Sequence, residues 1–194
     1  MQIERTFTGI TALGPGNRMA VWVNGCPRSC PGCISPNLRR DAPENECDVA
    51  EYFSAFTYDD IDGVSISGGE PFYQAAELLS LVRFLRDKGI KDILVYTGYT
   101  LAELTAMRDP TVDAILGGIA VLIDGPYIAE ENDDTGNLAG SKNQKIHIFD
   151  ESFRKRYEDY ASNKREVQTF NFGSYVLSVG IPTKEYIRKF NESI

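Results

Sequence analysis

Residues 62–98 read DGVSISGGEPFYQAAELLSLVRFLRDKGIKDILVYTG, which is the pattern of a strand, a helix and a second strand. The apolar residues of 62–67 predict a short buried strand that ends at a pair of glycines. The clearest helical pattern spans residues 73–88, where apolar side chains share one face and Gly89 supplies a stop. Those side chains are Leu78, Val82 and Leu85, with Ala75 and Leu81 beside them. The apolar run at 92–98 predicts the second strand, so we expect two parallel strands joined by the helix.

Further strands are predicted on both sides of this unit. RMAVWVNG at 18–25 and IAVLIDG at 119–125 are apolar runs of strand length. The first ten residues, MQIERTFTGI, alternate enough to form another strand. Residues 101–107 are predicted to be helical, and Pro110 is predicted to end that helix. The alternation of strands and helices predicts an α/β fold with a parallel sheet.

The sequence changes character after the last of these strands. A polar, glycine-containing loop leads to a short strand, KIHIF. Residues 150–166 are charge-rich and predicted to be helical, residues 166–182 read as a β-hairpin, and TKEYIRKF as a final helical turn or two. We therefore expect a core over residues 1–149 and a C-terminal extension over 150–194. This extension, a helix plus a hairpin, is predicted to be an appendage of the core sheet and not an independent domain.

Composition narrows the class of protein. The chain has 194 residues with 28 acidic and 20 basic side chains, for a net charge of −8. This acidity argues against broad binding to nucleic acid or to an anionic membrane, because both need a positive surface. No signal peptide is recognisable at the start, and the longest apolar window, residues 115–123, is too short to span a bilayer. We therefore expect a cytoplasmic protein with reduced thiols.

Three of the four cysteines lie in one loop. Cys26, Cys30 and Cys33 fall within CPRSCPGC, whose prolines and glycine favour a loop. Three thiolates on a compact loop can bind three corners of a 4Fe–4S cube, which leaves the fourth iron open to another ligand. Two alternatives are a structural zinc site that adds Cys47, and buried cysteines without a ligand. The spacing favours the cluster, since zinc loops more often use paired Cys-x-x-Cys motifs.

Six segments occur in the order found in one known superfamily. The cysteine loop resembles the cluster-binding motif of radical S-adenosylmethionine enzymes. Within that superfamily the chain resembles the activating proteins of anaerobic (class III) ribonucleotide reductases, which are glycyl-radical activases. The resemblance covers roughly residues 5–149. The matching segments are GPGNR at 14–18, CPRSCPGC at 26–33, SGGEP at 67–71, VYTGYT at 95–100, VLIDGPY at 121–127 and GSKNQKIH at 140–147.

This resemblance implies an incomplete parallel β/α barrel and two cofactors. A 4Fe–4S cluster is implied on Cys26, Cys30 and Cys33, with S-adenosylmethionine on its open iron. The turn that follows the strand at 62–67 is implied to hold the amino group of S-adenosylmethionine. The residues implied to bind S-adenosylmethionine are Gly32, Ser67, Gly68, Gly69, Glu70, Thr97 and Gly98.

The implied reaction is reductive cleavage of S-adenosylmethionine to a 5′-deoxyadenosyl radical, which abstracts hydrogen from a glycine of a partner reductase. A flavodoxin- or ferredoxin-like protein would supply the electron. The chain departs from familiar activases in the residues after Cys33, which read Ile-Ser-Pro-Asn, and in its extension at 150–194. The extension keeps an alternative open, namely a stand-alone radical enzyme that modifies a small molecule or peptide.

Other polar residues receive weaker predictions. Cys47 is predicted to be structural, and His147 to be a solvent-facing strand residue because it alternates with two isoleucines. Asp124 follows a predicted strand, so it is either a turn-forming residue or a site carboxylate. Asn143 and Gln144 belong to a matching segment, and no role is predicted for them.

Overall fold

The computed structural model describes residues 1–192 and contains a six-stranded sheet whose spatial order follows the chain. Strands β2 to β5 are mutually parallel, whereas β1 and β6 pair antiparallel at the two edges. The predicted α/β class and the predicted strands are confirmed. The strands are β1 Ile3–Ile10, β2 Arg18–Val23, β3 Gly63–Gly68, β4 Ile93–Tyr96, β5 Val121–Asp124 and β6 Lys145–Ile148.

Helices cover one face of the sheet. The α-helices before the extension are α1 Val49–Ser54, α2 Ala75–Asp87, α3 Leu101–Ala106 and α4 Pro110–Gly118. They bury the main core against alternate strand residues, among them Val21, Ile66, Val95 and Leu122. Short 3-10 helices lie at Pro36–Arg39, Pro43–Asn45, Pro71–Gln74, Ala129–Glu131 and Glu151–Phe153. No helix in the described range is long and apolar enough to cross a membrane.

Helix α4 was missed by the sequence prediction. Pro110 does follow the end of α3, but it also begins α4. Proline suits the first helical position because its missing N–H would be unpaired there in any case. The Asp109 side chain accepts a hydrogen bond of 2.8 Å from the backbone N–H of Thr111 and caps the new helix.

The C-terminal extension covers the opposite face of the sheet. It consists of α5 Arg154–Ala161, β7 Val167–Asn171, β8 Val176–Gly180 and α6 Lys184–Glu192. The predicted hairpin is confirmed as the antiparallel β7–β8 pair, and the predicted helix is shorter than residues 150–166. Tyr157 of α5 packs among Leu94, Val121 and Ile123, and Val179 of β8 packs against Ala20.

A buried ion pair joins the extension to the core. Arg18 and Asp92 are almost fully buried, and Arg18 Nη1 lies 2.9 Å from Asp92 Oδ2. The Tyr157 hydroxyl donates a hydrogen bond of 2.6 Å to Asp92 Oδ1. The sheet is therefore enclosed on both faces, as is usual for parallel strands. The division of the chain at residue 149 stays a prediction.

Candidate active site

The cysteine loop begins at the carboxyl end of β2. Gly25 has φ +83°, and its N–H donates to the carbonyls of Leu38 and Arg40 at 2.9 and 3.0 Å. The N–H of Cys26 donates to the carbonyl of Arg39 at 3.0 Å. The chain that follows the cysteines thus returns to their starting point, so the loop is closed at its base.

The three loop cysteines suit a cluster by their chemistry. All are free, half-buried thiols on one loop, with Cys33 N–H bonded to the carbonyl of Cys30 at 3.3 Å. Burial raises the pKa of the Cys26 thiol, and the backbone N–H of Arg28 opposes this by bonding it. A thiol must lose its proton to bind iron, so that N–H favours the form that binds.

Cys47 occupies a different setting. Its thiol donates to the carbonyl of Met1, with Sγ and O 3.3 Å apart, and its side chain packs against the main core. Within residues 1–192, no three His, Cys, Asp or Glu side chains converge as the ligands of a single metal ion would. Convergence of that kind would be needed for the four-cysteine zinc alternative. A cube makes a different demand, because each of its cysteines binds a separate iron.

The glycine turn at the end of β3 is bonded to the base of the cysteine loop. Gly69 N–H donates to the carbonyl of Val23 at 2.7 Å, and Glu70 N–H to that of Gly25 at 2.8 Å. Gly68 has φ +110°, and a side chain there would collide with the backbone of Val23. A side chain at Gly69 would collide with the Gly25 carbonyl. The structure therefore explains both glycines by the close approach of two backbones. Their predicted contact with a ligand stays a prediction.

Glu70 connects the ends of two strands. Its carboxylate accepts hydrogen bonds from Phe72 N–H at 3.0 Å, Thr97 Oγ1 at 2.8 Å and Gly98 N–H at 2.7 Å. The residue is 1% exposed. Burial raises the pKa of Glu70, while these three hydrogen bonds oppose the rise by favouring the charged form. The structure thus brings together the predicted site residues Glu70, Thr97 and Gly98. Ser67 lies beside them at the end of β3, paired with Trp22 of β2.

Arg28 connects the cysteine loop to the exit of β4. Its Nη2 donates to Glu103 Oε1 at 3.1 Å, and its guanidinium carbon lies 4.4 Å from the centre of the Tyr99 ring. A methyl group at Gly98 would lie 2.6 Å from Arg28 Cδ, so this glycine leaves room for the arginine. The sequence analysis assigned Arg28 no role, and its one signal was that it is the only basic residue within the cysteine motif.

The segment after β5 is held by side chains from GSKNQ. Asn143 Nδ2 donates to the carbonyl of Pro126 at 2.7 Å, and Gln144 Nε2 to that of Gly125 at 3.0 Å. The N–H of Ile128 donates to Ser141 Oγ at 3.2 Å. Two of the matching segments thus form one unit, in which the amide side chains fix the backbone before Tyr127.

Asp124 takes the turn-forming role. It is buried, and its carboxylate accepts hydrogen bonds from Leu101 N–H at 2.6 Å and Lys145 N–H at 3.2 Å. His147 Nε2 lies 3.0 Å from Asp124 Oδ2 but is not aligned for a hydrogen bond. His147 is only partly exposed and lines a cleft of about 710 Å³ beside α3, so the prediction that it faces solvent was wrong. The cause is that β6 is an edge strand whose His147 side faces the helical layer.

Gly32 lies against the segment after β5. It has φ +73°, and a side chain there would lie 3.3 Å from the Tyr127 ring and 3.7 Å from the Ala129 side chain. The exits of β2, β3, β4 and β5 are therefore all represented around the cysteine loop. Ligands of open parallel α/β sheets bind at this edge.

Comparison with known proteins agrees with this geometry. The sequence model of the family described as 4Fe-4S single cluster domain matches residues 12–147. The chain is 37% identical over 145 residues to the anaerobic ribonucleoside-triphosphate reductase-activating protein of Vibrio cholerae, which covers 70% of this chain and 90% of that protein. It is 33% identical over 148 residues to the protein of that name from Escherichia coli K12, covering 69% and 90%. With that of phage T4 the identity is 30% over 153 residues, covering 75% and 93%. The chain therefore belongs to the 4Fe-4S single-cluster family and, within it, to the anaerobic ribonucleoside-triphosphate reductase-activating proteins.

Proposed function

We propose that this chain is a radical S-adenosylmethionine enzyme that installs a glycyl radical on an anaerobic ribonucleotide reductase. The observation that carries the proposal is the position of the three-cysteine loop, which lies where four parallel strands end, inside the region matched by the 4Fe–4S family. The cluster and S-adenosylmethionine, when bound, supply the reducing electron and the 5′-deoxyadenosyl radical that abstracts hydrogen. The protein's own task is to position them and to exclude competing reactions.

Cys26, Cys30 and Cys33 hold the cluster in this proposal, and Cys47 does not. The support is that the three loop thiols are free and share one closed loop, whereas the Cys47 thiol is bonded to Met1. Three ligands leave one iron for S-adenosylmethionine.

Ser67, Gly68, Gly69 and Glu70 form one side of the S-adenosylmethionine site, and Thr97, Gly98 and Gly32 border it. A carboxylate offers about four acceptor positions, and Glu70 uses three of them within the protein. One position is left, which suits the ammonium group of a bound methionine. The main contribution of Glu70 is therefore to join the exits of β3 and β4, so that the site has its shape before the ligand binds.

The sheet is proposed to be a partial barrel with open edges at β1 and β6. Six strands are too few for the eight of a closed β/α barrel. A glycine-bearing loop of the reductase would enter at the edge where the strands end. A flavodoxin- or ferredoxin-like reductant is the proposed electron donor, in the cytoplasm, and its basic patches would suit the net charge of −8.

The test uses anaerobically reconstituted protein and a matched pair of cysteine variants. We expect about four irons per chain and formation of 5′-deoxyadenosine from S-adenosylmethionine under reduction. Cys30→Ala should lose both, and Cys47→Ala should keep both. A colourless zinc protein, or loss of the cluster in Cys47→Ala, would overturn the assignment. Formation of 5′-deoxyadenosine without a radical on the reductase would favour a small molecule or peptide as the substrate.

A further inference from the structure

The Tyr127 ring lies between two glycines. One is Gly32 of the cysteine loop, where a side chain would lie 3.3 Å from the ring. The other is Gly140, where a side chain would lie 3.1 Å from it. The Tyr127 hydroxyl accepts a hydrogen bond of 3.2 Å from Asn132 Nδ2. The ring therefore connects the cysteine loop to the segment 132–140, and both glycines are needed to let it in.

Arg165 of the C-terminal extension holds that same segment. Its side chain is 2% exposed, although arginine is rarely buried without charged or polar partners. The guanidinium donates to five backbone carbonyls at 3.1 to 3.2 Å. The carbonyls belong to Thr135, Gly136, Ala139, Gly140 and Pro182.

These contacts form a continuous path to the cysteine loop. Arg165 bonds the carbonyl of Gly140, and the N–H of Gly140 donates to Gln144 Oε1 at 2.8 Å. Gln144 in turn donates to the carbonyl of Gly125, two residues before Tyr127. Tyr127 then packs on Gly32, which lies between Cys30 and Cys33.

We propose that Arg165 is a positioning residue through which the extension holds Tyr127 against the cysteine loop and so restrains Cys30 and Cys33. The family match ends at residue 147, so this restraint comes from a part of the chain outside the shared domain. The consequence for a bound cluster rests on the proposed function, whereas the restraint on the thiols does not. A planar guanidinium is required, because an ammonium has three donors and cannot reach five carbonyls.

The test measures alkylation of the cysteines by iodoacetamide in the full-length, metal-free chain. Trypsin cuts after Arg28 and Arg39, so Cys30 and Cys33 fall on one peptide and Cys47 on another. Arg165→Gln should raise the alkylation rate of the Cys30 and Cys33 peptide relative to Cys47 on the order of tenfold, because hydrogen bonds to a charged group no longer oppose local opening. Arg165→Lys should resemble Arg165→Gln. Tyr127→Ala should reproduce the increase, and adding Arg165→Gln to it should produce no further one.

Gln168→Ala is the matched control. Gln168 also anchors the extension, but to Thr11, Ala12 and Gly9 at the far side of the sheet. An unchanged ratio in Arg165→Gln, wild-type behaviour of Arg165→Lys, or an equal rise in Gln168→Ala would each overturn the proposal. After reconstitution, release of iron to a chelator should accelerate in the same variants. If no variant, nor the wild type, takes up iron, the proposed function fails while the alkylation result still decides the role of Arg165.

Discussion

Glu70 Oε2 accepts a hydrogen bond of 2.7 Å from the backbone N–H of Gly98, so the exits of β3 and β4 are joined by one buried carboxylate. The Thr97 hydroxyl bonds the other oxygen at 2.8 Å. The glycine turn and the second strand exit thus form one polar unit beside the cysteine loop. This unit has a pH dependence and a steric requirement that can both be tested.

The first prediction concerns pH. Burial raises the pKa of Glu70 above its ordinary value of 4.5, so the folded protein retains a proton that the unfolded chain has released. The contribution of Glu70 to the free energy of unfolding therefore falls as pH rises from 4.5 through the raised pKa. Urea unfolding at a series of pH values should show the wild type losing stability relative to Glu70→Gln across that window. A gain relative to the variant would contradict the burial of an unpaired carboxylate.

The second prediction concerns the space that Gly98 leaves for Arg28. Gly98→Ala would place a methyl group 2.6 Å from Arg28 Cδ and displace the arginine from Tyr99. We expect a loss of about 1 to 3 kcal/mol in the free energy of unfolding, as for other overpacked sites, together with weaker retention of iron. Gly117→Ala is the control, because Gly117 lies exposed in α4 with nothing within 4 Å. It should be neutral or stabilising by up to about 1 kcal/mol. Equal effects of the two changes would argue against the steric account.

The third prediction concerns the ion pair beneath the extension. Asp92→Ala leaves the Arg18 guanidinium buried without its carboxylate, which should cost about 3 to 5 kcal/mol of stability. Tyr157→Phe removes one hydrogen bond to Asp92 and leaves the pair intact, so it should cost about 1 kcal/mol. Denaturant unfolding followed by the fluorescence of Trp22, the single tryptophan, measures both. A cost for Asp92→Ala no greater than that for Tyr157→Phe would contradict the ion pair.

Much of the core could be predicted because its signals are local. The apolar runs around Val64 and Leu94 predict strands, and the helical spacing of Leu78, Val82 and Leu85 predicts α2. The cysteine spacing is local too, and it predicted the family. Pro110 misled the prediction because proline both follows one helix and begins the next, and only the Asp109 cap distinguishes these roles.

The contacts that shape the site could not be read in this way. Glu70 and Gly98 are 28 residues apart, and their bond depends on the neighbouring positions of β3 and β4. Arg165 carries no sequence signal, since a single arginine in a charged tail is ordinarily solvated. The glycines were expected to approach a ligand, but Gly68 and Gly69 are explained by contact with β2 and its exit, which is a property of strand order.

The most direct test of the central claim is electron paramagnetic resonance of an anaerobic ribonucleotide reductase after incubation with this chain, S-adenosylmethionine and a reductant. The account predicts a glycyl radical on the reductase with wild-type protein and with Cys47→Ala, and none with Cys30→Ala. A reductase that remains radical-free while the wild-type chain forms 5′-deoxyadenosine would contradict the claim.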